Sequence, residues 1–100
     1  MRNVLLGLAL IAGTTQAADD AMIKYGSEQA YVQKCMACHG EVGISGTSQY
    51  PNIKGQKAMY IAEQLRAYRA GSRLNTLMQS QAAGLDDKTI DALAAYYSTR

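Results

Sequence analysis

The chain is 100 residues long, 48% hydrophobic and 18% charged with a single proline, a length that holds one domain and a composition that excludes a disordered, collagen-like or low-complexity polymer. Ten lysines and arginines against eight aspartates and glutamates give a formal charge of +2, too little to suggest nucleic-acid binding. Phe and Trp are absent, so seven tyrosines supply all the aromatic surface.

Residues 1–17 read as a secretory signal. Arg2 gives a positive start, Val4 to Ala12 (VLLGLALIA) is a nine-residue apolar run, and Thr15-Gln16-Ala17 places small residues at positions −3 and −1 of a cleavage point. Nine residues cannot span a bilayer, which needs about 20. The alternative, a retained anchor or a buried core helix, fits poorly with the Asp19-Asp20 pair that follows at once. The expected mature chain is one exported, periplasmic domain over 18–100 with no membrane span. Losing the leader removes ten hydrophobic residues and leaves a thin core, and domains of this size usually need a disulfide, a metal or a cofactor as a staple. A Cys35–Cys38 disulfide would close too short a loop to serve.

No segment alternates like a strand, and three helices are predicted, an all-α domain. Ser27 caps a first helix running to about Met36, with Tyr31 and Cys35 four apart on one face. Gly40 to Asn52, with three glycines and the only proline, is a loop. From Gln56 to Ala70, Ala58, Ile61, Leu65 and Tyr68 follow one helical stripe, and Gly71 sits where a C-terminal glycine belongs. Residues 72–85 read as a second loop. Asp86 or Asp87 caps a last helix ending at Ser98, with Ile90, Leu93, Ala94 and Tyr97 inward. Between 54 and 73, Lys54, Lys57, Arg66, Arg69 and Arg73 face Glu63 alone. That excess is either a solvated helix face, with Arg66 and Arg69 complementing the helix C-terminus, or a docking surface for an acidic partner.

Cys35-Met36-Ala37-Cys38-His39 is C-x-x-C-H, the pattern of c-type haem attachment. Two thiols three apart at a helix end project to the same side and can each add to one vinyl group of a haem. The tether places His39 under the iron as the proximal ligand. Competing readings are a thioredoxin-like dithiol, which needs a βαβ pattern absent here, a structural zinc site, which needs four ligands where the mature chain owns three Cys and His in all, and a chance disulfide or buried pair.

The sixth ligand has no second histidine to draw on, and thioether sulfur is the other common axial donor. Met36 lies within the motif, Met22 precedes the first helix, and Met59 sits beside the apolar stripe of the middle helix and reads as core. Met78, in the polar stretch Asn75 to Gln81, is the expected ligand, with Asn75 able to orient its sulfur.

Nearly all of 20–99 resembles the class I cytochromes c, the small periplasmic single-haem type and the single domains of dihaem relatives. The resemblance rests on Tyr31 before Cys35, the C-M-A-C-H-G run, Tyr50-Pro51-Asn52-Ile53-Lys54-Gly55-Gln56, Arg73-Leu74-Asn75, Met78, and Leu85-Asp86-Asp87 to Tyr96-Tyr97. It implies a small fold of three main helices with loops wrapped around one covalent haem c, held by Cys35 and Cys38. It also implies crossing terminal helices packed through Tyr31 and Tyr96 or Tyr97, Pro51 supporting His39, and Met78 on the distal side. Two departures are Ser27 where relatives have a crossing glycine, with Gly26 beside it, and Leu77 where relatives often have proline, which suggests a less rigid loop.

Iron ligated by His39 and Met78 leaves no open position for a substrate. The reading is therefore a periplasmic electron carrier rather than an enzyme, a monomer meeting redox proteins by transient docking near Cys35, Tyr50, Lys54, Lys57 and Met78. The alternative is a cytochrome c subunit of a redox enzyme complex. A gas binder or peroxidase would need polar distal groups, and His39 is the only histidine.

Overall fold

The computed structural model describes residues 19–100, so the reading of 1–17 as a leader lies outside the described residues. They form five helices and no strand: α1 through 19–32, α2 Cys35–His39, α3 Ala58–Ala70, α4 Thr76–Ala82 and α5 Asp87–Ser98. The all-α expectation holds. The middle and last helices fall within two residues of their expected starts, and both end where the sequence places them. Gly71 ends α3 in the left-handed conformation, its N–H donating to the carbonyls of Ala67 and Tyr68. Asp86 opens α5 by accepting from the Thr89 N–H.

The first helix differs from expectation in two ways. Ser27 is an interior residue of α1 rather than its cap, and the helix stops at 32 instead of running into the cysteines. Lys34 adopts φ 65, the one left-handed residue other than glycine among those described. Its conformation breaks the helix and lets α2 start in a new direction. The reason lies at the other end of α1. Gly26 is buried against α5, and a Cβ there would stand 2.0 Å from the carbonyl oxygen of Ala92 and 2.8 Å from Cβ of Tyr96. The crossing glycine is thus present, at Gly26 and not at the Ser27 position. Being one residue further from Cys35, it would turn the cysteine by about 100° on an unbroken helix. The kink at Lys34 absorbs that turn.

Ala30, one turn after Gly26, is fully buried at the crossing, while Tyr31 is 75% exposed. The expected role of Tyr31 in the crossing is therefore corrected: small residues let α1 lie directly on α5, and no large side chain fits between them.

The core gathers Ala30, Ile61, Ala62, Ala82, Leu85, Ile90, Leu93, Ala94, Tyr96 and Tyr97, with Leu65 and Tyr68 packed against it. Ile61, Leu65 and Tyr68 keep the expected stripe, whereas Ala58, first in its helix, is exposed. Among the described residues the largest fully enclosed side chains are Tyr97, Ile90 and Leu93, in line with how little apolar bulk the polypeptide supplies.

Helix α3 packs on α5, and α4 on α3. Arg66 and Arg69 belong to the first contact: Arg66 reaches Asp91 at 2.8 Å and Asp87 at 3.6 Å, and Arg69 reaches Asp87 at 2.9 Å. Arg69 also donates to the Leu85 carbonyl at 3.0 Å. The two arginines join helices, which is neither of the roles considered from sequence.

Two predictions follow from these contacts. Gly26→Ala should destabilise the holoprotein by about 2 kcal/mol in denaturant unfolding, the close approach outweighing the better helix propensity of alanine, whereas Ser27→Ala should be near neutral. Hydrogen bonds and charge from Arg69 hold the Asp87 carboxyl below the usual aspartate value of 3.8, and Thr89 does the same for Asp86. Their contribution is complete above pH 3.8 and fades as pH falls through the lowered folded values. An Asp87→Asn variant should be less stable than wild type at pH 6, and the difference should shrink in acid titration as the pH falls below 3.8 and through the lowered folded value.

Candidate haem-binding site

The site starts from α2, five residues that carry Cys35, Cys38 and His39 together. Three-residue spacing on a helix sets both sulfurs on one side. The two cysteines are not joined in a disulfide, and both are half-buried. Cys35 packs against the core beside Met36, and burial, with a smaller contribution from Cys38, pushes its thiol up to about 11. A neutral sulfur in apolar surroundings suits a thioether. No cluster of three or more His, Cys, Asp or Glu residues able to hold a metal ion occurs among the described residues, which argues against zinc.

The His39 ring is oriented by the loop that follows it. Nδ1 lies 2.9 Å from the carbonyl oxygen of Pro51. A carbonyl only accepts, so Nδ1–H donates and the lone pair sits on Nε2, free for an iron. The Pro51 segment performs the supporting contact expected of it.

The loop itself is strapped to α5. Tyr97 Oη donates to the Gly40 carbonyl at 3.2 Å, Tyr96 Oη donates to the Glu41 carbonyl, and the Gly55 N–H donates to the Tyr97 carbonyl at 3.0 Å. Burial raises the Tyr97 phenol well above its usual range, so it stays a donor at every physiological pH. Gly40, directly after His39, has φ 82, and a Cβ there would lie 2.1 Å from the Ile44 carbonyl oxygen. Only glycine makes this turn without displacing the backbone. Gly43 closes the loop, its carbonyl accepting from the N–H groups of Ile53 and Lys54 at 2.8 and 3.0 Å.

Met78 sits on a helix and not in a loop, which corrects the reading of 72–85. Asn75 caps α4 by accepting from the Met78 N–H at 3.0 Å, and Gln79 Oε1 accepts from the Asn75 N–H at 3.1 Å. This reciprocal pair works like a capping box and gives the segment the rigidity that the absence of proline at Leu77 had put in question. Asn75 holds the Met78 backbone. Met59, read as core, is 75% exposed, set on the outer groove between α3 and α5 with Ala62, Ala94 and Ala95.

Helices α2 and α4 share no close backbone approach. They are joined by one side chain: Gln81, one turn from Met78 on the same face, donates from Nε2 to the Gln33 carbonyl at 3.0 Å. That bond ties the helix carrying Met78 to the stretch leading into Cys35. Leu74 and Leu77 lie just before Met78, 84% and 50% exposed. Two thiols, an imidazole of fixed tautomer and uncovered leucines form a set that fits a haem.

A family model described as "Cytochrome C oxidase, cbb3-type, subunit III" matches residues 26–96. The chain belongs to the cytochrome c family. It is 44% identical over 69 residues to cytochrome c-554(548) of Halomonas halodenitrificans, covering 66% of this chain and 83% of that one. It is 34% identical over 76 residues to a protein of Stutzerimonas stutzeri named thiosulfate dehydrogenase electron acceptor, covering 73% of this chain and 35% of the relative. Reduced cytochrome c4 from Pseudomonas stutzeri superposes with a TM-score of 0.72 at 31% identity, over 79% of this chain and 48% of that one. The chain thus spans less than half the length of two of these relatives. Membership makes this a class I cytochrome c fold with covalent haem c at Cys35 and Cys38, serving electron transfer.

Sequence reasoning missed the two tyrosine hydroxyls. Tyr97 was legible as apolar stripe and Tyr96 only as its neighbour. The signal was available in that adjacent buried tyrosines must each find a partner for a hydroxyl. Tyr97→Phe in the holocytochrome should cost about 1 kcal/mol in denaturant unfolding while far-UV circular dichroism is unchanged.

Proposed function

We propose that this cytochrome is a periplasmic carrier of single electrons with no substrate chemistry of its own, its iron bound by His39 Nε2 on one side and the Met78 sulfur on the other. The bond from His39 Nδ1–H to Pro51 carries the reading, since it leaves one nitrogen donor oriented and unprotonated. When bound, the haem supplies a one-electron iron couple. The chain's own residues hold the donors still. His39 is fixed by Pro51 and by the tyrosine straps, and Met78 by its capped helix, so neither rearranges much when the charge changes. A soft thioether donor favours the reduced state and raises the potential.

Docking follows from which charges are free. Arg66 and Arg69 are engaged with Asp87 and Asp91, and Arg73 bonds Gln64 and lies over the Tyr68 ring. Lys54 and Lys57 are exposed without an ion-pair partner among the described residues. They offer a partner a small positive area at the end of the His39-supporting loop, suited to a brief, small interface. Periplasmic location rests on the leader pattern of 1–17, and among the described residues no helix is long and apolar enough to cross a membrane.

A second reading, a cytochrome c subunit of a redox enzyme complex, is favoured by the oxidase-subunit description of the matching family model. Gel filtration of native periplasm separates the two: a free carrier elutes near its own mass, a subunit with its complex.

For the ligand assignment, the oxidised visible spectrum of haem-loaded protein should show the weak sulfur-to-iron charge-transfer band. Met78→Ala should abolish it and lower the reduction potential, and Met59→Ala should leave both unchanged. High-spin iron in the wild type would contradict the proposal.

A further inference from the structure

The left-handed kink at Lys34 has a local cost. It diverts the Ala37 N–H to the Lys34 carbonyl at 3.2 Å, so the Gln33 carbonyl loses the donor that a continuous helix would have supplied four residues on. Gln81 fills that place from the opposite segment, 48 residues away, with Nε2 at 3.0 Å. Gln33 stands two residues before Cys35, and Gln81 stands three residues after Met78.

We propose that Gln81 is a positioning residue for the sixth ligand: its bond to the Gln33 carbonyl ties the Met78 helix to the haem-attachment segment and sets how firmly the Met78 sulfur is held on the iron. This rests on the assignment of Met78 as ligand. Three features of the structure support it. Helices α2 and α4 share no close backbone approach, and the bond from Gln81 to the turn just before Cys35 is a short route between them. Gln81 shares a helix face with Met78, so pulling it toward Gln33 turns Met78 the same way. The acceptor is a backbone carbonyl, whose position is fixed by the Lys34 kink and by the Gln33 N–H bond to the Gln29 carbonyl at 2.8 Å. Helix α4 packs on α3 and is anchored in the core at Ala82, near its end, so without the tie its Met78 end can shift relative to α2 while its own capping stays intact.

The experiment is a titration of oxidised holocytochrome with imidazole, followed through loss of the sulfur-to-iron band. Gln81→Ala, and Gln81→Glu which keeps length and helix propensity but replaces the amide donor, should each bind imidazole about fivefold more tightly than wild type, the factor that one ordinary hydrogen bond represents. Gln81→Lys restores a donor of similar reach and should return the affinity to near the wild-type value. Gln33→Ala keeps the acceptor carbonyl and should titrate as wild type, which a merely structural effect of crowding in this corner would not produce. Unchanged imidazole affinity in both Gln81→Ala and Gln81→Glu, with the band present in wild type and absent in Met78→Ala, overturns the tie and leaves the ligand assignment standing. A band that survives Met78→Ala overturns both.

Discussion

The architecture depends on one buried element, α5, against which three other parts of the chain are laid. Its Ala92 carbonyl receives α1 at Gly26 at a distance only a missing side chain permits. Its other side takes α3, fastened at the edge by Arg66 and Arg69. From its last turns Tyr96 and Tyr97 reach the carbonyls that follow His39. The enclosed bulk is small, with alanines at many of the buried positions, so close approach and hydrogen bonding take over work that larger cores do by volume. A bound porphyrin would add the apolar surface that the polypeptide lacks.

The chemistry of the site is a consequence of that arrangement. A histidine ligand needs a fixed tautomer and a fixed ring plane, and both come from Pro51, whose loop is held by the α5 tyrosines and by the Gly55 N–H. The helix that carries Met78 packs on α3. Both helices meet the core at few points, α2 through the half-buried Cys35 and Met36 and α4 through Ala82.

Much of this was legible in the residues. C-x-x-C-H identifies the attachment chemistry because no other arrangement of two thiols and an imidazole uses that spacing in the same way. Helices α3 and α5 were legible because their apolar period and their caps, Gly71 and Asp86, agree. What was not legible follows from tertiary context. The nine-residue separation of Gly26 from Cys35 only acquires meaning once the crossing is seen, and then the kink at Lys34 and the exposure of Tyr31 follow from it. Met78 is proposed as a ligand from its surroundings, but its helix was hidden because Asn75 and Gln79 cap across four residues in a stretch whose polarity reads as loop. Met59 was misplaced because its position beside the stripe says nothing of the groove beyond.

The ordering of stabilities is the most direct consequence. Native-state hydrogen exchange on the haem-loaded protein should find the slowest amides in Leu93 to Tyr97 and in α1 around Gly26 and Ala30, released only by global unfolding, with the amides of α4 exchanging through an opening of lower free energy. Protection in α4 equal to that in α5, or release of the last turns of α5 by local opening, would contradict the account.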